Sequence, residues 1–313
     1  VAGKPAALTR LFGATVAAPA PEPPASGVIA KLGDVLVKNT EVKVTKSAGI
    51  NLFGMWHFAH SVSFGLLWFL ALSIVDVLKK VVKRDDEGFW HSVSFWVNKT
   101  WGILTLRCSM MWPVITGIEN LPPQGEGYIL APNHASWMDI PFMAMIPRRF
   151  KFVAKSDLLK VPILGKAMQM SGALFVDRSK SSQLALFRGS MSMIANGDAL
   201  VIFPEGTRSK DGRLKPFRGG TSKIAARCKT KVVPVSISNG HRLMPPSAIM
   251  PRRPGWGIGR VHIHPPIDAT TMTEDELDEA VTAAVASGLP EDQKPLPEEM
   301  PEEKPPKTQE TEA

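Results

Sequence analysis

The chain has 313 residues, 44% hydrophobic and 21% charged, which is enough apolar material for one large domain or two small ones. Its formal charge of +8 is uneven: residues 290–313 hold eight acids against three lysines, leaving +13 on the remainder. A basic body suits an anionic membrane surface or a phosphorylated substrate. One tyrosine, no recognisable nucleic-acid module and cations grouped at Gly-rich turns argue against nucleic acid, and two distant cysteines, Cys108 and Cys228, exclude a disulfide framework or a cysteine metal site.

Residues 1–46 open with a stretch rich in Ala, Pro and Val, in which Lys4 and Arg10 precede the first acid, Glu22. This composition reads as the remnant of an organelle-targeting segment or as a flexible linker. From Ser47 to Val75 there is no Asp, Glu, Lys or Arg, a run longer than the ~20 residues a membrane span requires. A second apolar stretch, Gly88 to Ile118, is interrupted by Lys99 and Arg107. Six of the eight tryptophans (Trp56, Trp68, Trp90, Trp96, Trp101, Trp112) fall in these two stretches, and tryptophan favours the membrane interface. Residues 47–118 are therefore expected to be a membrane-associated helix pair, and the two charges favour a pair set into one leaflet over two clean spans. A pair of buried core helices is the alternative.

Residues 119–289 change texture. "GYILAP", "KFVA", "ALFVD", "ALVIFP", "KVVPVSIS" and "GRVHIHPPI" read as strands. Between them, Leu184, Phe187, Met191 and Ile194 share one helix face. "TEDELDEAVTAAVASG" offers a capping box from Thr273 and Glu276 and a stop at Gly288. The alternation predicts an α/β domain with a mixed, largely parallel sheet flanked by helices, preceded by the helix pair. Residues 290–313, rich in Pro and Glu, are expected to be a disordered acidic tail.

Two constellations carry chemistry. In "LAPNHASWMDIP", His134 follows a buried strand and Asp139 comes five residues later. Asp139 fits the third position of a helix capped by Ser136, a purely structural role. It equally fits a carboxylate that fixes the tautomer of a histidine base. In "VIFPEGTRS", Glu205, Gly206, Thr207 and Arg208 follow another buried strand. Ligands of open α/β sheets bind beyond the carboxyl ends of strands, and an Arg beside free backbone N–H groups suits phosphate. Lys155 in "FVAKSDL", Asp177 and Arg178 in "SGALFVDRS", and Lys215 and Arg218 in "GRLKPFRGGT" fall at the same kind of position. His241 follows a further strand and could approach such a site. His262 and His264 alternate on a strand but have no carboxylate neighbour in sequence, so no metal site is expected.

Taken together, these residues resemble the glycerolipid acyltransferase family, and most of all its 1-acylglycerol-3-phosphate acyltransferases. Asn133, His134 and Asp139 match the motif N-H-x-x-x-x-D; Gly172 to Arg178 match a second motif; Phe203 to Ser209 match F-P-E-G-T-R-S; Val232 to Ile237, around Pro234, match a fourth. The resemblance implies that His134 is the general base and Asp139 its orienting partner. It implies that Glu205, Gly206, Thr207 and Arg208, with Arg178 and Lys155, bind the glycerol phosphate. The implied reaction moves a fatty acyl group from acyl-carrier protein or coenzyme A to the sn-2 hydroxyl of lysophosphatidic acid, without metal or other cofactor. Acylation of glycerol 3-phosphate or of another lysophospholipid is the sister reading. A lipid hydrolase using the same His and Asp, and a non-enzymatic membrane-surface protein, are rivals of other classes. A plastid membrane, or alternatively a bacterial inner membrane, is the expected location.

Overall fold

The computed structural model describes residues 51–82, 87–161, 164–177, 180–248 and 250–296, with residue 35 and the short antiparallel pair 42–43 and 49–50. The expected targeting segment lies almost wholly outside them, as does the tail from residue 297.

Two helices come first, α1 (Leu52–Val82) and α2 (Glu87–Cys108). They form an antiparallel hairpin: Trp68 stacks on Trp101 at 5.0 Å and donates to the Asn98 side chain at 2.7 Å, and Trp56 donates to the Cys108 carbonyl at 3.0 Å. Asn51 caps α1, its side-chain oxygen accepting from the Gly54 N–H at 2.8 Å. Among the described residues, α1 alone is long and apolar enough to cross a membrane. Leu66, Leu67, Leu70, Ile74 and Val77 lie exposed along it. The second apolar stretch is not one element. Its helix stops at Cys108, and Val114–Thr116 forms a strand of the main sheet, so the sheet begins ahead of residue 119.

The sheet has eight strands: β1 (Val114–Thr116), β2 (Tyr128–Pro132), β3 (Phe150–Lys155), β4 (Leu174–Val176), β5 (Ala199–Val201), β6 (Lys231–Ser238), β7 (Arg260–Ile263) and β8 (Ile267–Asp268). Their order is β1-β7-β6-β2-β5-β3-β4, with β8 also on β6. β6, β2, β5, β3 and β4 are mutually parallel, whereas β7 and β8 run antiparallel to β6. The mixed, largely parallel sheet expected from the sequence is the one observed. β2 sits near the centre, buried at every position, as a strand covered on both faces must be.

Alternate side chains of the strands feed two cores. Leu130, Val201 and Val233 point to the side of α3 (Asp139–Met143), with Phe142, Met143 and Ile146. Ile129, Leu200 and Val232 point to the other side, with Ile224 of α6 (Gly220–Cys228) and Leu277, Val281 and Val285 of α8 (Glu274–Ser287). A small helix α4 (Leu164–Met170), a longer one α5 (Lys180–Ala195) and a single turn α7 (Gly240–Leu243) complete the order.

The expected capping box of α8 is present, with Thr273 and Glu276 bonded reciprocally, and Gly288 ends the helix. On α5 the four-residue stripe splits: Ile194 is buried and Phe187 packs on the core, but Leu184 and Met191 are about half exposed. The tail also departs from expectation in its first residues. Residues 290–296 are folded onto the domain: Gln293 is buried, accepts the Asn239 N–H at 2.8 Å through its side chain, and accepts the Leu214 N–H at 2.8 Å through its carbonyl. A residue that satisfies two backbone donors, one through its side chain and one through its carbonyl, outweighs an unfavourable local composition.

Candidate active site

Because β2 and β5 are parallel neighbours, the residues that follow each strand emerge side by side. Asn133 leaves β2 and continues its pairing: its side chain donates to the Ile237 carbonyl at 2.9 Å and accepts the Ile237 N–H at 2.7 Å. This double bond locks the end of β2 to β6. His134 comes next. Its N–H donates to Glu205 Oε1 at 2.7 Å, and its carbonyl accepts from the Ser209 N–H at 2.8 Å. The two motifs are thus stitched across their backbones.

The imidazole of His134 stacks on Phe203, ring centres 4.1 Å apart, and its Nδ1 lies 2.8 Å from Asp139 Oδ2. The same carboxylate oxygen accepts the N–H groups of Ala135 and Ser136, each at 2.8 Å. Ser136 Oγ accepts from the Met138 N–H at 3.1 Å and donates to the Met244 carbonyl at 2.8 Å. The expected cap by Ser136 is displaced: the helix begins at Asp139 itself, with Met138 at its N-cap and no side-chain cap bond. Asp139 still accepts the Ser136 N–H, and it grips the histidine. A carboxylate bound at Nδ1 places that nitrogen's proton and leaves Nε2 as the acceptor. The Asp139 side chain is 1% exposed and that of His134 is 15% exposed, so the base reaches the surface while its partner does not.

Gly240 sits against this pair. A Cβ there would stand 3.0 Å from Asp139 Oδ1 and 3.3 Å from Ser136 Cβ. The preceding Asn239 adopts a left-handed conformation (φ 62°), held by the bond from its N–H to Gln293.

The turn after β5 is built differently. Gly206 takes φ 67°, the left-handed region that favours glycine. Lys215 Nζ donates to Thr207 Oγ1 at 2.7 Å. The Arg208 guanidinium lies over the exposed Trp137 ring, 4.2 Å from its centre, a cation–π contact. Arg208 Nη1 and Glu205 Oε2 are buried with no hydrogen-bond partner among the described residues. Burial pushes the Glu205 carboxyl up to about 8, with the Asp139 charge adding to the rise and the His134 N–H opposing it. At neutral pH Glu205 is therefore mostly protonated and offers a donor as well as an acceptor.

The structure brings His134, Asp139, Glu205, Gly206, Thr207 and Arg208 together. Lys155 ends β3 on the same sheet edge, exposed, but two strands away from β2. Arg178 lies outside the described residues. His241 packs against Gly212, where an added Cβ would be 2.8 Å from its ring, and burial lowers its pKa. His262 and His264 are hydrogen-bonded to Thr116 and Ser236. Sequence reasoning passed over Trp137, Phe203 as a ring platform, and Gly240. Trp137 carried a signal: an exposed aromatic three residues beyond the histidine, within the same motif.

Residues 113–238 match the acyltransferase family model. The 1-acyl-sn-glycerol-3-phosphate acyltransferase of Chlamydomonas reinhardtii is 33% identical over 199 residues, 62% of this chain and 58% of that protein. A chloroplastic 1-acyl-sn-glycerol-3-phosphate acyltransferase of Arabidopsis thaliana is 36% identical over 156 residues, 49% of this chain and 43% of that one. The chain spans about half the length of these relatives. Among solved structures, the 1-acyl-sn-glycerophosphate acyltransferase PlsC from Thermotoga maritima shares the fold, with a TM-score of 0.56 and 24% identity, over 72% of this chain and 94% of that one. The residues that build the site, from Asn133 to Arg208, thus all fall inside the segment that matches the acyltransferase family model.

Proposed function

We propose that the protein transfers a fatty acyl group from a thioester, acyl-carrier protein or coenzyme A, to the sn-2 hydroxyl of 1-acyl-sn-glycerol 3-phosphate, giving phosphatidic acid. The observation that carries this reading is the pairing of a tautomer-fixed, surface-reaching imidazole with an adjacent turn whose Glu205 and Arg208 hold unpartnered polar atoms. The names of the relatives support the same acceptor.

His134 Nε2 takes the proton of the acceptor hydroxyl as its oxygen attacks the thioester carbonyl. The tetrahedral intermediate collapses by breaking the C–S bond, and the imidazolium returns the proton to the departing thiolate. Asp139 stabilises the imidazolium between these steps. A thioester is activated enough for direct attack, so the mechanism uses neither a covalent acyl-enzyme nor a metal. Arg208 offers its fork to the phosphate, stiffened by Trp137. Protonated Glu205 donates through Oε2 to an acceptor oxygen while Oε1 stays bound to the His134 N–H. Lys155 and Arg178 are further phosphate ligands in this reading.

The acceptor is a lipid. Each buried CH₂ is worth ~0.8 kcal/mol, so it resides in the bilayer, and α1 and α2 hold the domain at that surface. The plastid is the membrane system this reading favours, its envelope in particular, given the chloroplastic relatives. Purified full chain offered both thioester donors, each with lysophosphatidic acid or with glycerol 3-phosphate, tests the proposal. Phosphatidic acid formed from lysophosphatidic acid is the expected product. Acylation of glycerol 3-phosphate alone would shift the acceptor, and thioester hydrolysis indifferent to either acceptor would remove the transferase reading.

A further inference from the structure

A second polar site lies on the far side of the sheet. Lys99, Arg148, Arg149, Ser92, Gln124 and Trp96 line a notch of about 360 Å³ where α2 meets the start of β3. Arg149 immediately precedes Phe150, which pairs in register with Ala199, and Ala199 with Tyr128. These are the amino-terminal ends of parallel strands, whereas His134 follows their carboxyl ends. The notch is thus roughly 15 Å from the catalytic edge along the strands.

Three cations meet there, and among the described residues no carboxylate lines the notch. Each is anchored by a neutral partner. Lys99 Nζ donates to the Ile146 carbonyl at 3.2 Å and sits 5.4 Å from the Trp96 ring centre; Arg149 donates to Ser92 Oγ at 2.7 Å; Arg148 donates to the Pro147 carbonyl at 3.1 Å. These bonds occupy one or two donors each and, among the described residues, their acceptors are all neutral.

The notch adjoins an apolar groove of about 620 Å³ between α1 and α2, lined by Phe64, Leu67, Trp68, Val93, Val97 and Leu104 among others. Ser92 and Trp96 belong to both, and Trp96 is 58% exposed. A cationic cup continuous with an apolar channel, on the helices that the proposed function sets at the bilayer, has the shape and polarity of one phospholipid.

We propose that notch and groove bind one anionic glycerophospholipid of the bilayer, its phosphate held by Lys99, Arg148 and Arg149 and an acyl chain laid between α1 and α2. This site is separate from the catalytic edge and does not depend on the reaction assigned to it. Occupied, it ties α2 to the domain through the lipid as well as through protein contacts.

The test is native mass spectrometry of the full chain in detergent, titrated with dioleoyl-phosphatidylglycerol. The wild type should retain one lipid. Changing Lys99, Arg148 and Arg149 to Gln together should weaken retention by about 100-fold, from the usual increment per cation at anionic headgroups. A charge-matched control, Lys160, Lys223 and Lys229 to Gln, should bind as wild type; an equal loss there would reduce the effect to net charge and overturn the site. Val93→Trp, which fills the groove and spares the cations, should also weaken lipid retention; unchanged retention would overturn the acyl-chain placement. Inorganic phosphate at the same concentration should not displace the lipid, and full displacement would make this a free-phosphate site. His134→Ala should retain lipid as wild type, so a failed transferase assay and a failed lipid site are read separately.

Discussion

The two loops of the catalytic edge differ in how completely their polar groups are paired. After β2, one Asp139 oxygen takes three bonds of 2.8 Å and Asn133 is bonded twice to Ile237. After β5, Glu205 Oε2 and Arg208 Nη1 are buried without partners among the described residues. Buried polar groups are ordinarily paired, and an unpaired one costs about 1–3 kcal/mol. The first loop is therefore finished by the protein itself, as the proposed base would require. In the proposed reaction the second is finished when an acceptor supplies the missing partners, so that one loop serves chemistry and the other recognition.

Breaking the finished loop should have the largest effect. His134→Ala should lower acyl transfer by about 10²–10⁴-fold, the usual contribution of a general base, with membrane association unchanged in a flotation assay. Asp139→Asn comes next. It keeps the shape but removes the charge that stabilises the imidazolium and weakens three bonds, so kcat should fall by about 10²-fold or more and the thermal midpoint should drop with it. A kcat near wild type in either variant would mean that this loop only supports the fold.

The open loop should respond differently. Arg208→Ala should raise the acceptor KM by about 10–100-fold, the value of one or two charge-assisted bonds, while the KM for the thioester stays put. An unchanged acceptor KM would take Arg208 out of the phosphate site. The smallest effect concerns pH. The Glu205 carboxyl is raised from 4.5 to about 8 in the folded protein, so the folded state binds the proton more tightly than the unfolded one. That stabilising contribution is complete below about 4.5 and lost as pH rises through 8. Glu205→Gln should flatten the fall in thermal midpoint between pH 5 and pH 8; an identical slope in the variant would show that Glu205 ionises normally.

Most strands and the largely parallel sheet were legible in the sequence, because buried central strands are mainly apolar, "YILAP" and "VVPV" can be little else, and strands alternate with helical patterns. The neighbouring placement of His134 and Glu205 was equally legible, since motif spacing puts both just past strands, but Lys155 ends a strand two places away from β2. What closes the site was not. The bonds of Ser136 to Met244 and of Asn239 to Gln293 join residues 108 and 54 positions apart, and no local pattern encodes such partners. Gln293 in particular sits in a Pro- and Glu-rich context that reads as solvated, and its burial is set by the unpaired backbone donor of Asn239. Likewise, Val114–Thr116 is too short to announce itself at the end of an apolar helix, and it becomes a strand by pairing with β7.

The most direct measurement is a structure of the full chain with lysophosphatidic acid and no acyl donor. The sn-2 hydroxyl should lie within about 3 Å of His134 Nε2, with the phosphate on Arg208 and Glu205 Oε2 bonded to an acceptor oxygen. A lysolipid whose phosphate rests elsewhere, with its hydroxyl out of reach of that nitrogen, would contradict the assignment of base and recognition loop alike.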